Sequence, residues 1–208
     1  MGTFAPRLAA ITFAALALTA CTGETPTATP TTQSQATTEP SATSATSSTK
    51  ATTTPPKVDR PADIDLTAVK PCDVTTALKP ADFGIDQLLE PRASASDIFP
   101  GSQSCSAFGQ KANLILSVEA VVTEGFTSYT TSVVGNLTPL KIEGYPAATL
   151  AAKDGRTCFT VVDTKDGQMM YFQFGVANSR SQPITPQPEL CAKVSKIAEA
   201  GMKVVLAR

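Results

Sequence analysis

The fold turns on Thr157-Cys158-Phe159-Thr160-Val161-Val162-Asp163-Thr164-Lys165-Asp166-Gly167-Gln168-Met169-Met170-Tyr171-Phe172-Gln173-Phe174-Gly175. Two β-rich runs flank Asp166-Gly167, a strong short-range hairpin signal. A type I′ turn needs positive φ at both central residues, and Asp-Gly supplies that cheaply. In the second run Met170, Phe172 and Phe174 alternate onto one face, which is assigned to the core. Asp154-Gly155 repeats the signal upstream, after a run from Ala147 to Ala152. Before that, Leu137–Glu143 leads into a Gly144-Tyr145-Pro146 turn. Residues 137–175 therefore read as an antiparallel meander.

Working outward, Leu114 to Val122 is a further strand. Leu114, Leu116, Val118, Ala120 and Val122 share one face, and Ser117 and Glu119 lie on the other. Ser104–Phe108 is expected as a short strand carrying Cys105, and Glu90–Gly101 as loop. Gly125–Val134 is read as a short bridging helix. Asp73 is placed as the N-cap of a helix through Leu78, with Gly84 ending the following turn. The chain closes with a helix from about Pro188 to Leu206. Leu190, Val194, Ile197, Gly201 and Val204/Val205 recur there at helical spacing, and Thr185 or Gln187 is the expected cap. The fold class is α+β: an antiparallel β-meander sheet with N- and C-terminal helices packed on one face.

Composition removes several function classes. With 17 Lys+Arg against 18 Asp+Glu and no run of either sign, the chain lacks the basic patch that nucleic acid requires. The absence of histidine removes Ser-His-Asp and Cys-His activation and the commonest transition-metal ligand. No tryptophan and 6% aromatics argue against a stacking platform for sugars or bases. There is no Gly-rich phosphate loop and no metal-spaced carboxylate cluster, so no cofactor or metal is expected.

Five cysteines remain to be placed. Cys72, Cys105, Cys158 and Cys191 lack any C-x-x-C pair, and their spacings are too wide for zinc. In an exported domain four such cysteines read as two disulfides, with three connectivities. Cys72 precedes the first helix, beside the strand of Cys105; Cys191 opens the last helix, which lies across the strand of Cys158. These placements predict Cys72–Cys105 with Cys158–Cys191. The other two pairings would tie both termini or both hairpins together.

The fifth, Cys21, belongs to the N-terminus. Arg7 and the apolar run Leu8–Leu18 form a signal peptide too short to span a bilayer. Leu18-Thr19-Ala20-Cys21 is similar to a bacterial lipobox. That likeness implies diacylglyceryl transfer to Cys21, cleavage before it, and further acylation such as palmitate. Two or three acyl chains hold a protein stably on a membrane where one does not. From Thr22 the sequence is Thr, Ser, Pro and Ala with almost no large apolar residue, too little to offset the entropy of ordering. Three segments result: 1–20 signal peptide, 21–61 lipidated cysteine and disordered tether, 62–208 globular domain. A tether of Thr/Ser with interspersed proline is also similar to O-glycosylated stalks.

Pro71-Cys72-Asp73 before a short helix, Cys105 in a strand, Gly144-Tyr145-Pro146-Ala147, Cys158 in a central strand and Cys191 opening the last helix together resemble one family. It is the uncharacterised domain-of-unknown-function lipoproteins abundant in actinobacteria. Members often carry Trp soon after the second cysteine, where this chain has Phe108. The resemblance, over roughly residues 66–206, implies a four-cysteine, disulfide-stabilised α+β domain lipid-anchored on the extracellular face of the cell membrane. It implies no activity.

The remaining polar candidates have ordinary explanations. Asp163 and Asp166, and Lys153 and Asp154, are expected as solvating hairpin residues. Tyr129, Tyr145 and Tyr171 are expected to pack rather than act as acids. Asn136-Leu137-Thr138 matches a glycosylation triplet without meaning in a bacterial export context. The expected function is therefore a non-enzymatic surface binding module, for a small apolar ligand or a cell-envelope partner. The alternative is an envelope hydrolase working through carboxylates. An apolar cavity lined by Phe172, Phe174, Leu116 and Val194 would favour the small ligand, and a packed interior a protein partner.

Overall fold

A computed structural model describes residues 59–86 and 89–208. The segments read as signal peptide and tether, Cys21 included, lie outside the described residues as far as residue 58, as do Gln87 and Leu88. The elements are α1 (Pro71–Ala77), β1 (Arg92–Ala95), β2 (Gln103–Gly109), β3 (Leu114–Val121), α2 (Phe126–Ser132), β4 (Leu137–Ile142), β5 (Tyr145–Ala151), β6 (Thr157–Lys165), β7 (Gln168–Val176) and α3 (Gln187–Leu206). Seven strands form one antiparallel sheet in the order β1-β2-β3-β7-β6-β5-β4. The meander β4 to β7 is as expected, and β7 then joins the earlier β3.

The inner face of the sheet carries α1 and α3. Leu116, Val118, Met170, Phe172 and Phe174 meet Val74 from α1 and Leu190, Val194, Ile197, Met202 and Val205 from α3 in one buried cluster. Gly201 faces the Phe172 ring so closely that a Cβ there would lie 2.8 Å from Phe172 Cζ. A side chain at that position would force the ring or the helix to move, so the bare backbone is what lets α3 settle this closely onto β7. Both predicted disulfides form, Cys72–Cys105 joining α1 to β2 and Cys158–Cys191 joining β6 to α3, each with Cα atoms 5.0 Å apart.

Several local expectations change. Asp73 is in the first turn of α1 and Lys70 is the N-cap, because Pro71 at N1 starts the helix earlier. Neither Thr185 nor Gln187 caps α3; Pro186 holds that position. Gln187 instead donates through Nε2 to Ala152 O (2.6 Å) and Thr157 O (3.1 Å), fastening the helix start to the β5–β6 loop. The segment read as loop contains β1, whose short Ala/Ser sequence carries no apolar alternation. Asp154 and Asp166 keep negative φ, so neither Asp-Gly pair makes a type I′ turn; only Gly155 and Gly167 are left-handed. Positive φ at two successive residues occurs at Glu143-Gly144 (50° and 84°), and Tyr145 and Pro146 already belong to β5.

Candidate functional site

Strand registers place one continuous outer-face rung across the whole sheet: Arg92, Ser106, Ser117, Gln173, Phe159, Leu150 and Leu137. The next outer rung is Ser94, Ser104, Glu119, Tyr171, Val161, Ala148 and Pro139. Both change character part-way. Toward β4 they are apolar, and toward β1 they carry hydroxyls, a guanidinium and a carboxylate.

The apolar portion has its own small core. Phe99, Val121, Ala148, Val161, Met169 and Tyr171 are buried together, with Phe126 and Tyr129 of α2 packed on them. Phe99 and Tyr129 both meet Tyr171, with ring centroids 5.1 and 6.1 Å apart in edge-on geometry. The sequence placed Tyr129, Tyr145 and Tyr171 as packing residues; Tyr145 and Tyr171 are buried, and Tyr129 is half-buried. Burial pushes the Tyr129 and Tyr171 hydroxyls above the ordinary phenol value.

Glu119 is the polar pivot. Although read as an outward residue, it is buried, because the 96–102 loop folds over it. Ser96 donates to Glu119 Oε2, and Ser96 Oγ in turn accepts from the amides of Phe99 (2.9 Å) and Ile98 (3.2 Å). One serine thus ties the loop to the sheet and seats Phe99 in the outer core. Burial pushes the Glu119 carboxyl up, opposed by hydrogen bonds from Ser96 and Ser104 and reinforced by Asp97. The signal in the sequence was serine at alternate positions 104 and 106, with Ser117 on the same face of the next strand. It marks a face that is neither solvent-charged nor apolar.

Toward the β1 edge the outer face is open. Leu89, Glu90, Arg92, Ser106, Phe108 and Gln110 line a groove of about 460 Å³. Phe108 is 52% exposed and Leu89 64% exposed, an unusual state for adjacent large apolar side chains. Ser106, one of its lining residues, shares a hydrogen bond of 2.7 Å with Ser117 of β3. Conversely, Phe172, Phe174, Leu116 and Val194 are fully buried together in the inner core between sheet and helices.

The described chain begins on the opposite side of the sheet. Arg60 Nη1 pairs with both oxygens of Asp163 at 2.9 and 3.0 Å, and Nη2 with Asp166 at 2.7 Å and Asp63 at 3.0 Å. Lys141 pairs with Asp59 at 2.6 Å, and Lys165 with Asp65 at 2.9 Å. Asp59 and Arg60, assigned by composition to the tether, are thus ion-paired to the domain. Asp163 is correspondingly a buried ion-pair partner and not a solvating turn residue, whereas Asp166 is exposed as expected. Burial pushes the Asp163 carboxyl up against the pull of Arg60. Asp154 caps its own hairpin by accepting from Arg156 N (2.9 Å), and Lys153 and Asn136 are exposed.

The four domain cysteines are consumed in disulfides, and Cys21 lies outside the described residues. Among the described residues no group of three His, Cys, Asp or Glu side chains is placed to hold a metal. No helix among them is long and apolar enough to cross a membrane.

A family model described as "Protein of unknown function (DUF3558)" matches residues 16–203, nearly the whole chain. The chain belongs to that family. The match spans all four disulfide cysteines and the groove residues. No curated protein and no solved structure matches the chain.

Proposed function

We propose that this DUF3558 protein is a lipid-anchored binding module of the cell surface, which engages a cell-envelope partner at the open β1–β2 side of its sheet. One observation carries the reading: the exposed groove of Phe108 and Leu89 at the edge opposite the one where the described chain begins. Six strand spacings separate β1 from β4, on the order of 30 Å. Arg60 and Lys141 hold the first described residues on the other side of the sheet, so the chain that would run to Cys21 does not start from the groove. The filled inner core supports a partner on the surface over an apolar ligand held inside.

Native mass spectrometry of the full-length protein extracted from its own envelope tests this. Wild type should retain a bound species that Phe108→Ser loses. Equal retention by both would remove the groove from the reading. The anchor is tested separately by membrane fractionation: Cys21→Ala should release the protein, and an equally membrane-bound variant would refute lipidation.

A further inference from the structure

We propose that β1 is a strand-addition site: an extended segment of a partner polypeptide pairs with Arg92–Ala95 as an eighth strand and sets one apolar side chain into the Phe108 groove. The inference rests on the binding-module reading and specifies the chemistry of its partner.

The two edges of the sheet differ in the way that matters for such pairing. An edge strand exposes a row of unpaired N–H and C=O groups, and folded proteins usually block that row with proline, lysine or a covering segment. The β4 edge has the first two, and an ion pair besides. Pro139 lacks an N–H, Lys141 projects from the same strand, and Asp59 at the start of the described chain is bound to it. Within β1 there is no proline or lysine, and Arg92 at its start is the one charged side chain. Arg92, Ala93, Ser94 and Ala95 are all exposed, and among the described residues no strand lies beyond them. Two alanines and a serine leave room for another backbone at the normal strand spacing.

The edge is also held in place. Ala93 pairs with Cys105, and Cys105 is bridged to Cys72 of α1 beneath it. A strand fixed in advance loses little freedom when a partner pairs with it, which favours binding. Main-chain pairing alone accepts any sequence, and selectivity in this mode comes from pockets that receive alternate side chains. The groove is placed for that role. Arg92 and Ser106 are register partners on the outer face, and both line it with Phe108. An added strand would direct every second side chain over the same face, where Phe108 and Leu89 offer apolar contact and Arg92 and Glu90 one charge of each sign at the rim.

The test uses the full-length protein and a random-sequence peptide library, followed by the synthetic form of the strongest binder. N-methylation should weaken that peptide by about tenfold at alternate residues and leave the intervening residues tolerant, since only every second amide faces the edge. Phe108→Ser should weaken it comparably, with unchanged circular dichroism. Hydrogen exchange should show new protection at alternate amides within Arg92–Ala95 and none within Leu137–Ile142. No selected binder, or a binder indifferent to N-methyl position that leaves β1 exchange unaltered, would overturn strand addition. If the native extract still showed a Phe108-dependent partner in that case, the binding module would stand and only the mode of recognition would fall.

Discussion

On the inner face of the sheet one rung runs Ala107, Leu116, Phe174, Cys158 and Ala151; on the outer face, one residue along each strand, it runs Ser106, Ser117, Gln173, Phe159 and Leu150. The same backbone carries both. The inner rung is apolar from end to end because a 20-residue helix and α1 lie across it, and a polar group there would be buried without a partner. The outer rung changes midway because its cover does. α2, only seven residues long with no buried residue of its own, shields just the β6 side. Where cover ends, serine and glutamine take over, and beyond them lies the Phe108 groove. One face is thus built for stability, and the other leaves part of its apolar area exposed.

That contrast predicts unequal costs of substitution, and the disulfides give its largest expression. Both sit on the inner face, each closing a separation of 33 residues. Replacing Cys158 and Cys191 together by Ala should lower unfolding free energy by about 3–4 kcal/mol, the chain-entropy value for loops of this size. Urea denaturation of the oxidised protein measures it. A change below about 1 kcal/mol would mean that α3 holds the sheet without the bridge, and that the inner face is less dependent on its staple than the comparison holds.

Packing gives the next effect. Gly201→Val places a branched side chain into the Phe172 ring and should cost about 1–3 kcal/mol through displacement of α3. Phe108→Ser, removing a larger side chain from the outer face, should change stability by no more than about 0.5 kcal/mol because that ring is half in solvent already. Equal losses from the two would erase the distinction between the faces.

The inner face was legible in the sequence because its signals are local and periodic. Leu114 through Ala120, Met170 through Phe174 and the Leu190–Val205 stripe each declare one buried side, and these sides can meet in few ways. The cysteine pairing followed once the elements were placed. Less could be read on the outer face. β1 is four small residues whose only evidence is its pairing to β2, a long-range fact. Glu119 looked solvent-facing because alternation says which side a residue is on and is silent about what covers that side. Arg60 looked like tether because a lone arginine after a Thr/Pro tract gives no hint of Asp163 a hundred residues later. The Asp-Gly pairs marked their hairpins correctly but not their turn type, because loop length and the bulge between Asp163 and Lys165 set that geometry.

The smallest effect, and the most specific to the outer face, concerns pH. Burial raises the Glu119 carboxyl above its unfolded value near 4.3, so the folded protein binds that proton more tightly than the unfolded chain does. Stability from this group is therefore fully present below the unfolded value and declines as pH rises through the folded one. Ionised Glu119 then remains buried, with only Ser96 and Ser104 to solvate it and Asp97 repelling it; Tyr129 and Tyr171 nearby stay neutral across that range. Glu119→Gln cannot ionise, and its side-chain oxygen can still accept from Ser96. Urea denaturation across a pH series should show the variant gaining relative to wild type between acidic and neutral pH, with little difference at the acid end. The opposite trend, wild type gaining as pH rises, would show that the two serines stabilise the carboxylate beyond the cost of burying it. In that case the 96–102 loop would be held to the sheet by a charged anchor, and the outer face would be more firmly closed around Glu119 than its serine-lined surroundings suggest.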